Sequence, residues 1–362
     1  MPADSPATPK EPASHGGVRD DVLRLLRQAA HRLNARPFVP YPLIKLGDAQ
    51  TIGAYLWPAR LRTRDQTGDE ERLFEVESHT KVLARCRWQA RPREHATLVM
   101  WHGMEGSTAS AYMLSVADKA FRAGFNVTRV NIRNCGGTEH LTPTLYHAAL
   151  TGDLRAVIGE LIERDGLSRL LVVGFSLGGS LVLRLAGEYG ANPPAEIKAV
   201  CAVSPSVDLR ESVDLISQRR NWIYHQDFLY SLKRRVRVKQ LLFPKLYNID
   251  GLSSIRAIEQ FDDRYVAPGF GFDGANDYYA RASALPFLAR IRIPSLIIHA
   301  EDDPVIPFAP LRHPSIAENP YILLLSTDRG GHVAFISANL DHEDRFWAEN
   351  RVIEFLVMMN DG

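Results

Sequence analysis

Cysteine is scarce in this chain. Only Cys86, Cys135 and Cys201 occur among 362 residues, too few and too scattered for a disulfide framework or a thiolate zinc site, and a reducing compartment suits them best. No uninterrupted apolar stretch approaches the roughly 20 residues that cross a bilayer. The opening Met1-Pro2-Ala3-Asp4-Ser5-Pro6 lacks the basic and apolar regions of a signal peptide, so the expected location is cytoplasmic. An excess of either charge is also missing: 43 Lys and Arg face 42 Asp and Glu, for a formal net charge of +1. Nothing there points to nucleic acid as a partner. A G-x-x-x-x-G-K-[ST] loop is absent and no metal-ligand spacing stands out, so neither a cofactor nor a metal is expected.

What is present is the composition of an ordinary globular protein, 45% hydrophobic and 23% charged. Residues 1–17 carry Pro2, Pro6, Pro9 and Pro12 among small polar neighbours and read as a disordered tail. Leu23, Leu26 and Leu33 lie at helical spacing between Asp20 and Asn34. Short β-like runs follow at Thr51 to Trp57, Arg72 to Val76 and Lys81 to Trp88, the expected antiparallel start of a sheet. From Thr97 onward apolar strands alternate with helical patterns, which predicts a mostly parallel, eight-stranded-type α/β sheet with helices on both faces. The last strand is expected at Tyr321 to Leu325 and the last helix at Glu343 to Met358. Between Ser204 and Leu288 the alternation stops in favour of charge and aromatics. An insertion there projects over the carboxyl ends of the strands, so residues 204–288 are expected to form a helical cap on a core of 18–203 and 289–362.

The chemistry centres on Gly174-Phe175-Ser176-Leu177-Gly178, which follows the apolar run Arg169 to Val173 and leads into the helical Gly179 to Ala186. In such a turn the serine hydroxyl stands above the end of a parallel sheet, and the glycines relieve a crowded backbone. A serine hydroxyl needs a base to take its proton and an acid to orient that base. Downstream, Asp302-Asp303-Pro304-Val305-Ile306-Pro307 follows one strand and Gly330-Gly331-His332 follows the next. The order serine, acid, histidine is that of hydrolases of this type. His332 is read as general base and acid and Asp303 as its orienting carboxylate, since an acid followed by one residue, two β-branched residues and a proline is the familiar spacing. The developing oxyanion needs fixed donors, and the backbone amides of Leu177 and Met104 are the candidates, the latter in the loop His102-Gly103-Met104.

Other features are read as structural. His102 is expected to shape its turn, Cys135 to be a small loop residue, and His225, His313 and His342 to lie on the surface. The run Lys233 to Lys239 would suit an anionic membrane surface, but charge runs are more often solvated, and a solvated cap face is the expectation.

Several motifs in order resemble the YheT-like family of predicted esterases within the α/β-hydrolase superfamily. They are Phe38-Val39-Pro40 with Gln50-Thr51-Ile52, His102 to Ser107, Tyr146-His147, the elbow at Ser176, Phe261-Asp262-Asp263-Arg264 with Tyr278-Tyr279, Asp302-Asp303-Pro304 and Gly331-His332-Val333. The resemblance implies an α/β-hydrolase fold, a triad on Ser176, Asp303 and His332, and hydrolysis of small-molecule or lipid carboxylic esters. It departs at Arg133-Asn134-Cys135, where the family usually has arginine, glycine and cysteine; asparagine tolerates the left-handed backbone such a turn needs. The same triad would serve an acyltransferase or thioesterase, because it does not determine the acceptor. A non-catalytic binding protein of this fold would have no use for an intact triad and both oxyanion loops.

Overall fold

The computed structural model describes residues 15–57, 68–338 and 342–361. Residues 1–14 of the expected tail and residues 58–67 lie outside these. Eight strands form one sheet: β1 (Glu70–Glu77), β2 (Thr80–Arg87), β3 (Thr97–Trp101), β4 (Asn126–Val130), β5 (Leu170–Phe175), β6 (Ile197–Val203), β7 (Ser295–Ala300) and β8 (Ile322–Thr327). Their order is β1-β2-β4-β3-β5-β6-β7-β8. The β1/β2 and β2/β4 pairs are antiparallel and all later pairs are parallel.

The central strands β3, β5 and β7 are buried along their whole length, which explains why they read as continuous apolar runs and not as alternating ones. Helices cover both faces: α1 (His15–Asn34), α2 (Gly47–Leu56), α3 (Ala111–Arg122), α4 (Thr151–Glu163), α5 (Leu177–Tyr189), then α6 (Leu209–Ile216) and α7 (Trp222–Leu242) in the long β6–β7 connection. Leu98 and Met100 pack with Leu26, Met113 and Phe355 on one face. Val99 and Trp101 pack with Leu154, Leu181 and the inserted helices on the other. Among the described residues the β6–β7 connection holds helices and turns only.

Four sequence expectations need correction. Helix α1 begins at His15, so residues 15–17 are helical and not part of a tail. Residues 51–56, expected as a strand, belong to helix α2. The apolar pattern misled because Ile52, Tyr55 and Leu56 point outward, while the buried positions are Gly47 and Gln50. Side-chain hydrogen bonds fix this helix instead. Gln50 Nε2 donates to the Ile44 and Ile336 carbonyls at 2.7 and 3.0 Å, and its Oε1 accepts from the Ile336 amide at 2.6 Å. Finally, the Lys233 to Lys239 run is only half solvated: Arg235, Val236 and Lys239 face inward. The Lys239 ammonium donates to the Glu139 and Thr142 carbonyls, and burial pulls its pKa down to about 7. His225 is buried as well, whereas His313 and His342 are exposed.

Replacing Gln50 by Leu keeps the side chain's bulk but strands buried backbone groups, at roughly 1–3 kcal/mol for each group left unpaired. The urea midpoint of Gln50→Leu is expected to fall with an unchanged m-value, as read by circular dichroism.

Candidate active site

The turn after β5 is tight for a reason visible in its neighbours. A Cβ on Gly174 would lie 2.1 Å from the Gly178 carbonyl oxygen, and one on Gly178 would lie 2.5 Å from that of Trp101. With both glycines in place, Ser176 adopts φ 50 and ψ −117, a backbone conformation rarely used by side-chain-bearing residues. The hydroxyl then sits at the carboxyl end of a central strand.

Two further strand ends converge there. After β7, Asp303 Oδ1 accepts the amides of Val305 and Ile306 at 2.8 and 2.9 Å, so the acid is clamped by the two residues that make its sequence spacing recognisable. Its Oδ2 lies 2.8 Å from His332 Nδ1, and His332 Nε2 lies 3.0 Å from Ser176 Oγ. In this arrangement Nδ1–H donates to the carboxylate and Nε2 is free to accept the serine proton. Burial by itself would raise the Asp303 carboxyl; the charge and hydrogen bond of His332, with His299 and the Ile306 amide, hold it below its ordinary value. Asp302 does not touch the imidazole. Its Oδ1 accepts the Gly331 amide at 3.0 Å and so ties the histidine loop to the acid loop.

The histidine loop is held from outside by α2. Thr51 Oγ1 accepts the His332 amide at 2.9 Å, and Ser204 Oγ accepts that of Val333 at 3.1 Å. Gly331 has φ 63, and a Cβ there would lie 2.4 Å from the Gly47 carbonyl oxygen. The loop after β3 approaches from the other side, where a Cβ on Gly103 would lie 3.0 Å from Ser176 Cβ. Neither the Met104 nor the Leu177 N–H has a protein acceptor among the described residues.

His102 is taken up by the turn: Ile132 N–H donates to its Nε2 at 3.0 Å and its Nδ1 lies 2.7 Å from the Gly103 carbonyl. Full burial lowers its pKa to about 4, which keeps the ring neutral. Cys135 is buried and its thiol is pushed up to about 12 by desolvation, so it carries no thiolate at neutral pH. Asn134 stands at φ 66 with its Nδ2 donating to the Thr144 carbonyl at 2.9 Å, so the turn takes the left-handed backbone without a glycine.

Groups with no individual signal in the sequence also build the site. Arg235 of α7 is buried and makes two hydrogen bonds to Glu105, Nε to Oε1 at 3.0 Å and a terminal nitrogen to Oε2 at 2.8 Å. Tyr146 donates to the same carboxylate at 2.6 Å. Glu105 follows Met104 and has φ 58, so the inserted helix α7 braces the loop after β3 directly. Between these elements lies a cavity of about 110 Å³ that touches Ser176, Met104 and Leu177 and is walled by Leu209, Val213, Ile216, Phe228, Leu232 and Val305. A wider surface depression of about 590 Å³ beside Arg72, Trp88 and Arg164 shares no residue with it.

A mostly parallel eight-stranded sheet with a serine elbow at the end of a central strand defines the class of α/β hydrolases. The family described as alpha/beta hydrolase fold matches residues 96–338. The YheT protein of Escherichia coli is 32% identical over 271 residues, covering 74% of this chain and 77% of its own. The monoacylglycerol lipase of Saccharomyces cerevisiae is 29% identical over 272 residues, 73% of this chain and 59% of its own, so this chain spans about three-fifths of the yeast protein. A Pyrococcus furiosus esterase structure shares the fold, with a TM-score of 0.53 at 18% identity over 83% of this chain and 95% of that one. The chain belongs to the α/β-hydrolase superfamily and, within it, to the YheT-like family, a group of esterase and lipase type.

Removing one partner of a buried ion pair costs about 3–5 kcal/mol because the other charge is stranded. Arg235→Met is therefore expected to lower the unfolding free energy by about that amount, and adding Glu105→Gln is expected to restore part of it. Denaturant melts of the single and double variants check both.

Proposed function

We propose that the chain is a serine hydrolase of carboxylic esters in which Ser176 is the nucleophile, His332 the general base and acid, and Asp303 the carboxylate that orients it. The observation that carries this reading is the unbroken hydrogen-bond chain from Ser176 Oγ through both nitrogens of His332 to Asp303, with distances of 3.0 and 2.8 Å. Ser176 attacks the ester carbonyl while His332 Nε2 takes its proton. The oxyanion is received by the Met104 and Leu177 amides, whose lack of protein acceptors leaves them available to it. His332 then protonates the departing alcohol, an acyl group remains on Ser176, and water activated by His332 releases the acid. Residues 204–288 act as a cap whose apolar side chains hold the substrate's hydrocarbon part. The yeast relative's name, a monoacylglycerol lipase, agrees with an ester whose acyl chain is buried in such a cavity.

Replacement of Ser176 by Ala is expected to reduce hydrolysis of p-nitrophenyl butyrate by about 10⁴-fold or more and to abolish labelling by a fluorophosphonate probe. A folded Ser176→Ala protein that hydrolysed the ester at the wild-type rate would refute the assignment. The aliphatic cavity also predicts a chain-length effect. Each buried methylene adds about 0.8 kcal/mol, close to fourfold in kcat/KM, until the cavity is filled. A series from p-nitrophenyl acetate to hexanoate is expected to rise accordingly; a flat or falling series would place the acyl chain outside the cavity.

A further inference from the structure

The outer side of α7 is explained neither by the packing of the fold nor by ester chemistry. Its inward stripe, His225, Leu229, Leu232, Val236 and Lys239, is buried, and Leu232 with Phe228 walls the cavity beside Ser176. The opposite stripe has the same helical spacing in Ile223, Asp227, Tyr230, Arg234, Arg237 and Leu241, and every one of these is exposed. Trp222, Ile223, Tyr230 and Leu241 are each between 63 and 78% exposed. At 1.5 Å per residue the stripe runs for about 27 Å along the helix. Single exposed apolar side chains are ordinary, but a row of them marks a surface that another body covers. Arginines accompany this row. Arg219 and Arg220 stand in the turn before the helix, Arg234 and Arg237 on the stripe itself, and all four are exposed. No described carboxylate lies within ion-pair distance of any of them, whereas their neighbours Arg210 and Arg235 are paired with Asp214, Glu259 and Glu105. Asp227 is the one acid on the stripe.

Whatever covers this face has to offer hydrocarbon and negative charge together. We propose that the outward face of α7 lies flat on an anionic lipid surface, with Trp222, Ile223, Tyr230 and Leu241 entering the headgroup boundary and the four arginines reaching the lipid phosphates. Aromatic and aliphatic side chains beside arginines are what that boundary accepts from a helix lying in its plane, and the long arginine stems let the guanidinium groups stay at headgroup level while the apolar groups sink deeper. The helix lies on the bilayer and does not cross it: no described helix is long and apolar enough to span, and the inner side of α7 is committed to the protein. A second copy of the chain suits the face less well, since a two-fold contact would set these arginines against their own counterparts with one Asp227 per chain to offset them. A nucleic acid would satisfy the arginines through its phosphates but would leave Ile223 and Leu241 against water. The inference goes beyond the ester reading and gives it a setting, because the helix that meets lipid on its outer side walls the cavity on its inner side.

The test is co-sedimentation of the full chain with phosphatidylcholine vesicles, with and without about 30% phosphatidylglycerol, at about 0.1 M salt. Wild-type protein is expected to bind the mixed vesicles at least about tenfold more tightly than the neutral ones. The double variant Arg234→Gln/Arg237→Gln is expected to lose about fivefold in partition for each arginine, and Ile223→Ser/Tyr230→Ser about tenfold or more. All these side chains are exposed, so circular dichroism and denaturant midpoints are expected to stay at wild-type values. Tryptophan emission is expected to shift to the blue when mixed vesicles are added, and the shift is expected to disappear in Trp222→Phe. Failure to bind mixed vesicles, equal binding to both compositions, or a blue shift that survives in Trp222→Phe would overturn the inference. Wild-type partition in Ile223→Ser/Tyr230→Ser would mean that charge alone binds, as it would to any polyanion, and would overturn it too. A dimer in analytical ultracentrifugation that dissociates in the same variant, without vesicle binding, would assign the face to a second copy instead. Ser176→Ala is expected to bind vesicles like the wild type, so the result is read separately from ester hydrolysis.

Discussion

The closeness of three backbone segments, at Gly47, Gly331 and Asp302, is the constraint on which the rest of the site depends. Two glycines and one acid side chain allow helix α2, the histidine loop and the acid loop to meet at backbone contact distance. His332 owes its position to that contact, since its amide is held by Thr51 and its imidazole by Asp303. An imidazole can relay a proton between two partners only if both nitrogens are aimed at once. The ring therefore has to be fixed by more than the carboxylate it touches.

A second dependence runs from the inserted segment to the loop after β3. The ion pair between Arg235 and Glu105, with Tyr146 on the same carboxylate, joins α7 to the residue after Met104. Helix α7 thus does more than roof the cavity: its position and that of the Met104 amide are mechanically linked. The β6–β7 connection thus supplies both a wall of the cavity and the brace on the loop after β3.

Much of this was legible in the residues taken in order. The glycines around Ser176 mark a corner whatever the rest of the chain does, because a Cβ at either would strike backbone. The Asp303 spacing is legible for a similar local reason, as the Val305 and Ile306 amides that receive the carboxylate are its near neighbours in sequence. The buried strands are legible because a sheet covered on both faces demands continuous apolar runs. Helix α2 was not legible: its outward residues are apolar and its buried side chain is a glutamine bonded to a loop 286 residues away. The inward turn of Arg235 and Lys239 was hidden for the converse reason, since a charge run gives no sign of which members find buried partners.

The sequence by itself determined the α/β order of elements, the serine corner, and the identity of the acid and histidine that fall at strand ends. These are set by local geometry, by near neighbours and by hydrophobic periodicity. Only the tertiary structure decided which remote groups hold that set in register: Thr51 and Gln50 from α2, and Arg235 from α7. Their partners lie far along the chain, and whether a buried polar atom is paired or left open depends on how the elements pack, which no local pattern encodes.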